Sequence, residues 1–189
     1  MMRCTIESKF KRKNKKKLWQ IYLECFKNNP TACAQNQQCY NRKSFYRALK
    51  DKDYYKFILR QQKTGEIIGC GLLTDNLKKA KVAYINPEKF HGIFLESGKD
   101  KIIYFTFIGI SPSRKQPAAF LILMSSIVKF AFNNHALAAF DFSREKNGSL
   151  QKMIAAVAQK LIKQKEISSS GVEYKVVDIQ EFGVMKLTP

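Results

Sequence analysis

A chain of 189 residues and 21.8 kDa has the length of one ordinary domain, and its 45% hydrophobic and 26% charged residues exclude an intrinsically disordered protein. Thirty-four Lys and Arg stand against 15 Asp and Glu, a formal charge of +19 that makes an anionic partner an expectation.

The first 17 residues carry eight basic side chains against Glu7 alone, and Met1 to Asn14 lacks apolar periodicity, so residues 1–17 read as a basic arm ahead of a single domain over 18–189. Such lysines can displace counterions from nucleic-acid phosphates. No zinc-finger spacing, RNP-like aromatic strand or basic region leading into heptads accompanies them, and a solvated arm at a helix entrance is favoured over nucleic-acid binding. Leu18, Trp19, Tyr22, Cys25 and Phe26 then recur at three- and four-residue steps and predict a helix that begins among the lysines and runs to about Lys27, stopped by Asn28, Asn29 and Pro30. A polar connection from Thr31 to Asn41 leads to a short helix from Ser44 to Leu49, with Ser44 as its cap.

Asp51, Lys52 and Asp53 mark a turn. Tyr54 to Arg60 and Glu66 to Leu73 read as a hairpin about Lys63-Thr64-Gly65, with Gly69 and Gly71 signalling a bulge or a close packing approach. Thr74 to Asp100 is polar and broken at Asn86-Pro87 and His91-Gly92, a long connection. Ile102 to Ile110 is apolar on both faces and predicts a central strand. A polar turn from Ser111 to Pro117 follows, then a deeply packed helix from Ala118 to Phe132 and a buried strand from Ala136 to Phe142. Leu150, Met153, Ile154, Val157, Leu161 and Ile162 form a helical stripe, and strands from Val172 to Val177 and Phe182 to Leu187 end the chain. The middle strand-helix-strand unit calls for a right-handed parallel crossover, and the flanking hairpins are antiparallel. The expected fold is α/β, a mixed and mostly antiparallel central sheet with flanking helices.

Five cysteines, at 4, 25, 33, 39 and 70, form no C-x-x-C pair, which argues against a disulfide framework or a zinc site and for reduced thiols in a cytoplasm. Secretion is not expected, because no apolar signal core follows the basic start. The run Ala118 to Phe132 is interrupted by Lys129 and falls short of the roughly 20 residues that span a bilayer.

The sharpest local feature is the strand Ile102 to Ile110 running through Ser111 to Ala119 into a helix. Free backbone N–H groups and a positive helix end converge there, a natural phosphate seat to which Arg114 and Lys115 add charge. The alternative is a plain strand-to-helix turn punctuated by Pro112 and Pro117, with Pro117 in the first helical turn. The run Ile108-Gly-Ile-Ser-Pro-Ser-Arg-Lys-Gln-Pro-Ala-Ala119, with the element order from Tyr54 to Leu187, resembles the GCN5-related N-acetyltransferase (GNAT) superfamily. In that family a Gln/Arg-x-x-Gly-x-Gly/Ala loop after the central strand holds the pyrophosphate of acetyl-CoA. Arg114 fits its first position and Ala119 its last, while Pro117 stands in place of a glycine.

The resemblance implies an acyl-CoA N-acyltransferase-like sheet whose parallel strand pair splays apart, with the thioester between the strands. It further implies pantetheine paired to the backbone near Ile108 and Ile110, and phosphates at Arg114, Lys115, Gln116, Ala118 and Ala119. Asn147 falls where the family often places a contact to the pantetheine arm. The tyrosine that often serves as general acid on the next helix is missing. Direct transfer to an amine needs a base, and the strand IIYFTFIGI contains no acid. Asp141 is the nearest carboxylate, with Tyr104, Thr106 and Ser143 as polar partners; each is alternatively a cap or a core residue with a satisfied hydroxyl. Cys70 reads as a buried thiol, and His91 and His135 are too isolated to ligate a metal. The expected function is a cytoplasmic N-acetyltransferase that uses acetyl-CoA to acylate an amine. The competing readings are a catalytically impaired acyl-CoA-binding module of the same fold and a basic nucleic-acid-associated protein.

Overall fold

The computed structural model of the chain describes the backbone of residues 1–27, 40–79, 100–114, 117–143, 148–163, 169–177 and 180–188. In chain order these form β1 (Met2–Ile6), α1 (Arg12–Tyr22) with a π turn at Leu23–Lys27, α2 (Arg42–Lys50), β2 (Tyr54–Gln61), β3 (Ile67–Thr74) and β4 (Lys101–Ile110). A 3-10 turn at Pro112–Arg114, α3 (Pro117–Asn133), β5 (Ala136–Ser143), α4 (Gly148–Lys163), β6 (Ser169–Val177) and β7 (Gln180–Thr188) follow. The strands make one sheet in the order β1-β2-β3-β4-β5-β7-β6. β1-β2, β2-β3, β5-β7 and β6-β7 pair antiparallel, and β4-β5 pair parallel. This is the mixed, mostly antiparallel sheet expected from the sequence.

The opening residues correct that reading. Met2–Ile6 is an edge strand rather than part of a free arm, in register from Met2↔Gln61 to Ile6↔Phe57. The five-residue alternation of Met2, Cys4 and Ile6 with Arg3 and Thr5 carries the strand signal, and charge on it is what an edge strand tolerates. Glu7 anchors the strand's exit: its carboxylate accepts from Arg60 Nε at 2.9 Å and from a second guanidinium nitrogen at 3.0 Å, and its N–H donates to the Lys56 carbonyl at 2.9 Å. Residues 12–17 are the first turns of α1. A second correction concerns the cap of α2, which is Asn41, not Ser44. Asn41 Oδ1 accepts the Ser44 N–H at 2.8 Å, and the Ser44 hydroxyl donates back to the Asn41 carbonyl at 3.0 Å.

In the hairpin, Gly65 takes φ +69°, a left-handed conformation that glycine enters without Cβ strain. Both expectations for Gly69 are met. The β2-β3 register steps from Leu59↔Gly69 to Arg60↔Ile67, which leaves Ile68 as the extra residue of a bulge. A Cβ on Gly69 would also come within 3.1 Å of the Gly109 carbonyl oxygen and closer still to the Ile110 side chain, so only glycine admits β4 at that spacing.

The chain divides into two compact units, Met1–Tyr84 with Thr106–Leu123, and Ile85–Phe105 with Met124–Pro189. In the first, α1 and α2 bury Leu18, Ile21, Tyr22, Phe45, Ala48 and Leu49 against Tyr54, Ile58, Ile67, Cys70, Leu72 and Phe107 of the strands. The i, i+3, i+4 spacing of Leu18, Ile21 and Tyr22 is what turns one stripe of α1 inward. Each of the large apolar side chains among them contributes about 1.5–3 kcal/mol of transfer free energy. In the second, Ile102, Ile103, Tyr104 and Phe105 of β4 are buried with Met124, Ile127, Val128 and Ala131 of α3, Ala136 to Phe140 of β5, and Ile154, Val157 and Leu161 of α4. Phe105 stacks on Phe140 at 5.8 Å. The parallel ladder joins Lys101 through Tyr104 to Ala136 through Ala139. His135 enters β5 at φ 52°, and its carbonyl accepts the Asp100 N–H at 3.1 Å.

The breakers at 28–30, 86–87 and 91–92, and Cys33 and Cys39, lie outside the described residues. Among the described residues no helix is long and apolar enough to cross a membrane, and no His, Cys, Asp and Glu side chains gather into a metal-binding group.

Candidate active site

The second half of β4 carries the site, and the first compact unit contains all of its described parts. Alternation along the strand puts Phe107 and Gly109 on one face. Phe107 meets Tyr22 at 5.2 Å and Phe26 at 5.1 Å, each edge-on, and Tyr22 in turn stacks between Trp19 and Phe26. This aromatic packing holds the end of α1 to β4. Two residues on, a Cβ at Gly109 would stand 2.8 Å from the Phe107 ring and 2.9 Å from Cys25 Sγ, so the missing side chain is what admits the π turn. The Cys25 thiol donates to the Ile110 carbonyl at 3.3 Å. A π turn adds one residue per turn and redirects the side chains that follow. Here it delivers Glu24 to the carboxyl end of β4.

At that end Ser111 is fully buried. Its N–H donates to the Ile68 carbonyl at 2.8 Å, its hydroxyl donates to Glu24 Oε2 at 2.9 Å, and it lies 3.0 Å from the Ser113 hydroxyl. A half-buried carboxylate, fixed by a hydroxyl from a buried backbone position, therefore stands where β4 opens into the 3-10 turn and α3. Glu24 is the residue that the strand-by-strand reading missed. The one local signal is that it is the only acid between Glu7 and Asp51.

A network of hydroxyls adjoins this aromatic packing. Thr106 Oγ1 donates to the Leu72 carbonyl at 2.8 Å, and Tyr40 bonds through its side chain to Thr106 and to Tyr54. Tyr54 donates to the Lys79 carbonyl at 2.9 Å, and the Tyr22 hydroxyl accepts the Tyr40 N–H at 2.7 Å. Burial pushes the Tyr22 phenol up to about 12 and raises those of Tyr40 and Tyr54, so all three stay protonated at neutral pH. Burial likewise pushes up the Cys70 thiol, as an inert core cysteine requires.

The residues singled out from the sequence distribute as follows. Ile108 and Ile110 are half-buried at the end of β4, Ala118 is exposed and Ala119 is fully buried in the first turn of α3. Arg114 closes the 3-10 turn; its side chain, with Lys115, Gln116 and Asn147, lies outside the described residues. Tyr104 is 1% exposed and pairs with Ala139 in the second unit. Asp141 and Ser143 sit on β5 opposite Phe182 and Gln180, with side chains outside the described residues. Pro117 is the first residue of α3. At that position a proline removes only an N–H that no helical carbonyl would accept, and the free donors that follow it in the turn are untouched.

No protein-family model matches the sequence, and no curated protein is significantly similar to it. Solved structures are similar in fold. An acetyltransferase of the GNAT family from Streptococcus agalactiae superposes with a TM-score of 0.62 at 12% identity, over 98% of this chain and 96% of that one. The N-acetyltransferase PseH of Campylobacter jejuni, solved in complex with acetyl coenzyme A, gives 0.52 at 14% identity over the whole of both chains. An acetyltransferase of the GNAT family from Bacillus cereus gives 0.54 at 12% identity over 100% and 96%. The chain has the fold of the GNAT acetyltransferases.

Proposed function

We propose that this protein is an acyl-CoA-dependent N-acyltransferase that moves an acetyl or related acyl group from the thioester to an amine by direct attack. What supports the reading is the junction at which β4 runs through a 3-10 turn into α3, within a fold shared with acetyltransferases of which one was solved with acetyl coenzyme A bound. The acyl-CoA would lie along residues 106–110 of β4, with the pantetheine amides near Ile108 and Ile110. Its phosphates would meet Arg114, Lys115 and the free N–H groups of the first turn of α3. The small Ala118 and Ala119 leave that turn open to close approach.

Attack by the amine nitrogen on the thioester carbonyl breaks the C–S bond, the amine loses a proton and the departing thiolate gains one. Glu24, held by Ser111 beside the end of β4, would take the amine proton. Asp141 on β5 is the second carboxylate candidate, with Tyr104 and Ser143 as its polar neighbours in sequence pattern. Turnover assays with acetyl-CoA and a panel of small amines and peptides test the reading. Glu24→Gln with retained acetyl-CoA binding and lost turnover assigns the base to Glu24; the same result in Asp141→Asn alone assigns it to Asp141. Binding without turnover on any amine would favour the acyl-CoA-binding module.

A further inference from the structure

We infer that the exposed faces of α1 and α2 form a docking surface for single-stranded nucleic acid, separate from the acyl-transfer site. Lys11, Arg12, Lys13 and Lys16 are exposed on and just before α1, and Arg42, Lys43, Arg47 and Lys50 are exposed on α2. The two helices pack on one another through Trp19 and Phe45, whose rings lie 5.4 Å apart, so both sets of cations belong to one part of the molecule. Neither helix contains an acidic residue. The acids of the surrounding structure are engaged elsewhere: Glu7 with Arg60, Glu24 with Ser111, Asp51 and Asp53 with Lys79, Asp75 with the Tyr55 hydroxyl. Glu66 pairs with Lys17, at the inner edge of the cluster.

The placement works against the fold. Arg12 and Lys13 sit in the first turn of α1 and Arg42 and Lys43 in the first turn of α2, where the helix dipole already presents positive charge and acids would be favoured. Arg12 and Lys16, and Lys13 and Lys17, are like-charged pairs four apart, which also disfavours the helix. The side chain of Lys11 caps nothing. Arg47 and Lys50, in the last turn of α2, complement the helix dipole; for the other six cations folding stability gives no reason, and local conflicts of this kind mark functional surfaces. A polyanion resolves all of them at once.

A membrane is the poorer fit. An interfacial helix needs a free apolar face, and that of α1, Leu18, Ile21 and Tyr22, is 0–4% exposed in the core. Single strands are favoured over duplex by Arg42, whose exposed guanidinium lies over the Tyr46 ring at 5.5 Å. That planar pair offers a stacking platform to an unpaired base.

The test is fluorescence anisotropy of the full chain with an unstructured RNA oligomer, titrated from roughly 50 to 200 mM KCl. Each phosphate contact removed lowers the log–log salt slope by about 0.7, so Arg12→Gln/Lys13→Gln/Lys16→Gln should lower it by about 2 and weaken binding roughly tenfold. Arg42→Gln/Lys43→Gln/Arg47→Gln should behave alike, and a melting temperature equal to or above that of the parent confirms that each variant is folded. The control, Lys63→Gln/Lys160→Gln/Lys163→Gln, removes three exposed lysines elsewhere and should leave the slope within error. Equal loss in the control would reduce the effect to net charge and overturn the surface. So would tighter binding to vesicles of acidic phospholipid, or to duplex DNA, than to the RNA.

Discussion

Adding one methyl group at Gly109 probes the contact that builds the candidate site. In Gly109→Ala the new Cβ would lie 2.8 Å from the Phe107 ring and 2.9 Å from Cys25 Sγ, where ordinary contacts begin near 3.4 Å. Overpacking of this kind costs about 1–3 kcal/mol. Opposing it, alanine in a strand interior gains about 0.5–1 kcal/mol over glycine in backbone entropy. At the middle of the two ranges the clash wins by about 1 kcal/mol. For a chain of this length that lowers the melting temperature by about 2–4 °C. The π turn must retreat from β4 to relieve the clash, which breaks the Cys25 bond to the Ile110 carbonyl and draws Glu24 from Ser111. Turnover should therefore fall by more than the loss of folded protein explains. Combining the change with Cys25→Ala removes one of the two clashing side-chain groups, so the double-mutant cycle should show a favourable coupling of about 0.5–1.5 kcal/mol. A Gly109→Ala protein as stable as its parent, or strict additivity with Cys25→Ala, would refute the claim that the glycine exists to admit the π turn.

Deleting Met1 to Glu7 should lower the melting temperature by several degrees and promote association, because β2 loses its edge partner and Arg60 its carboxylate; thermal melts with size-exclusion chromatography check this, and an unchanged melt would restore the free-arm reading. Between pH 10 and about 12 the unfolded chain releases the Tyr22 proton and the folded chain keeps it, so stability present below pH 10 falls as pH rises through that window. Tyr22→Phe should flatten that fall in urea titrations, and should itself cost about 1–3 kcal/mol at neutral pH by leaving the Tyr40 N–H without its acceptor. An identical pH profile in the variant would discard the assignment to Tyr22.

The helical stripe from Leu18, the hairpin about Gly65 and the β4-α3-β5 unit were legible because each rests on a local period or a turn residue whose physics is short-ranged. The fold class followed from their order. β1 was hidden because its strand signal is five residues long and sits beside a run of lysines whose charge dominates any compositional reading. The α2 cap was misplaced by three residues because both Asn41 and Ser44 are good capping types, and only backbone geometry decides which one stands outside the helix. Glu24 was invisible for a different reason: it meets Ser111 across 87 positions, by way of a π turn that no hydrophobic period encodes and a glycine whose purpose shows only once the two segments touch. Secondary structure was thus readable where information is local. The site is tertiary.

Acyl-CoA binding at the junction of β4 and α3 is tested by calorimetric titration of the purified protein with acetyl-CoA. Saturable binding at one site per chain is expected, weakened about tenfold or more in Arg114→Ala/Lys115→Ala as charge-assisted contacts to phosphate are lost, with an unchanged melting temperature. No binding by the parent protein, or the same affinity in the double variant, would contradict it.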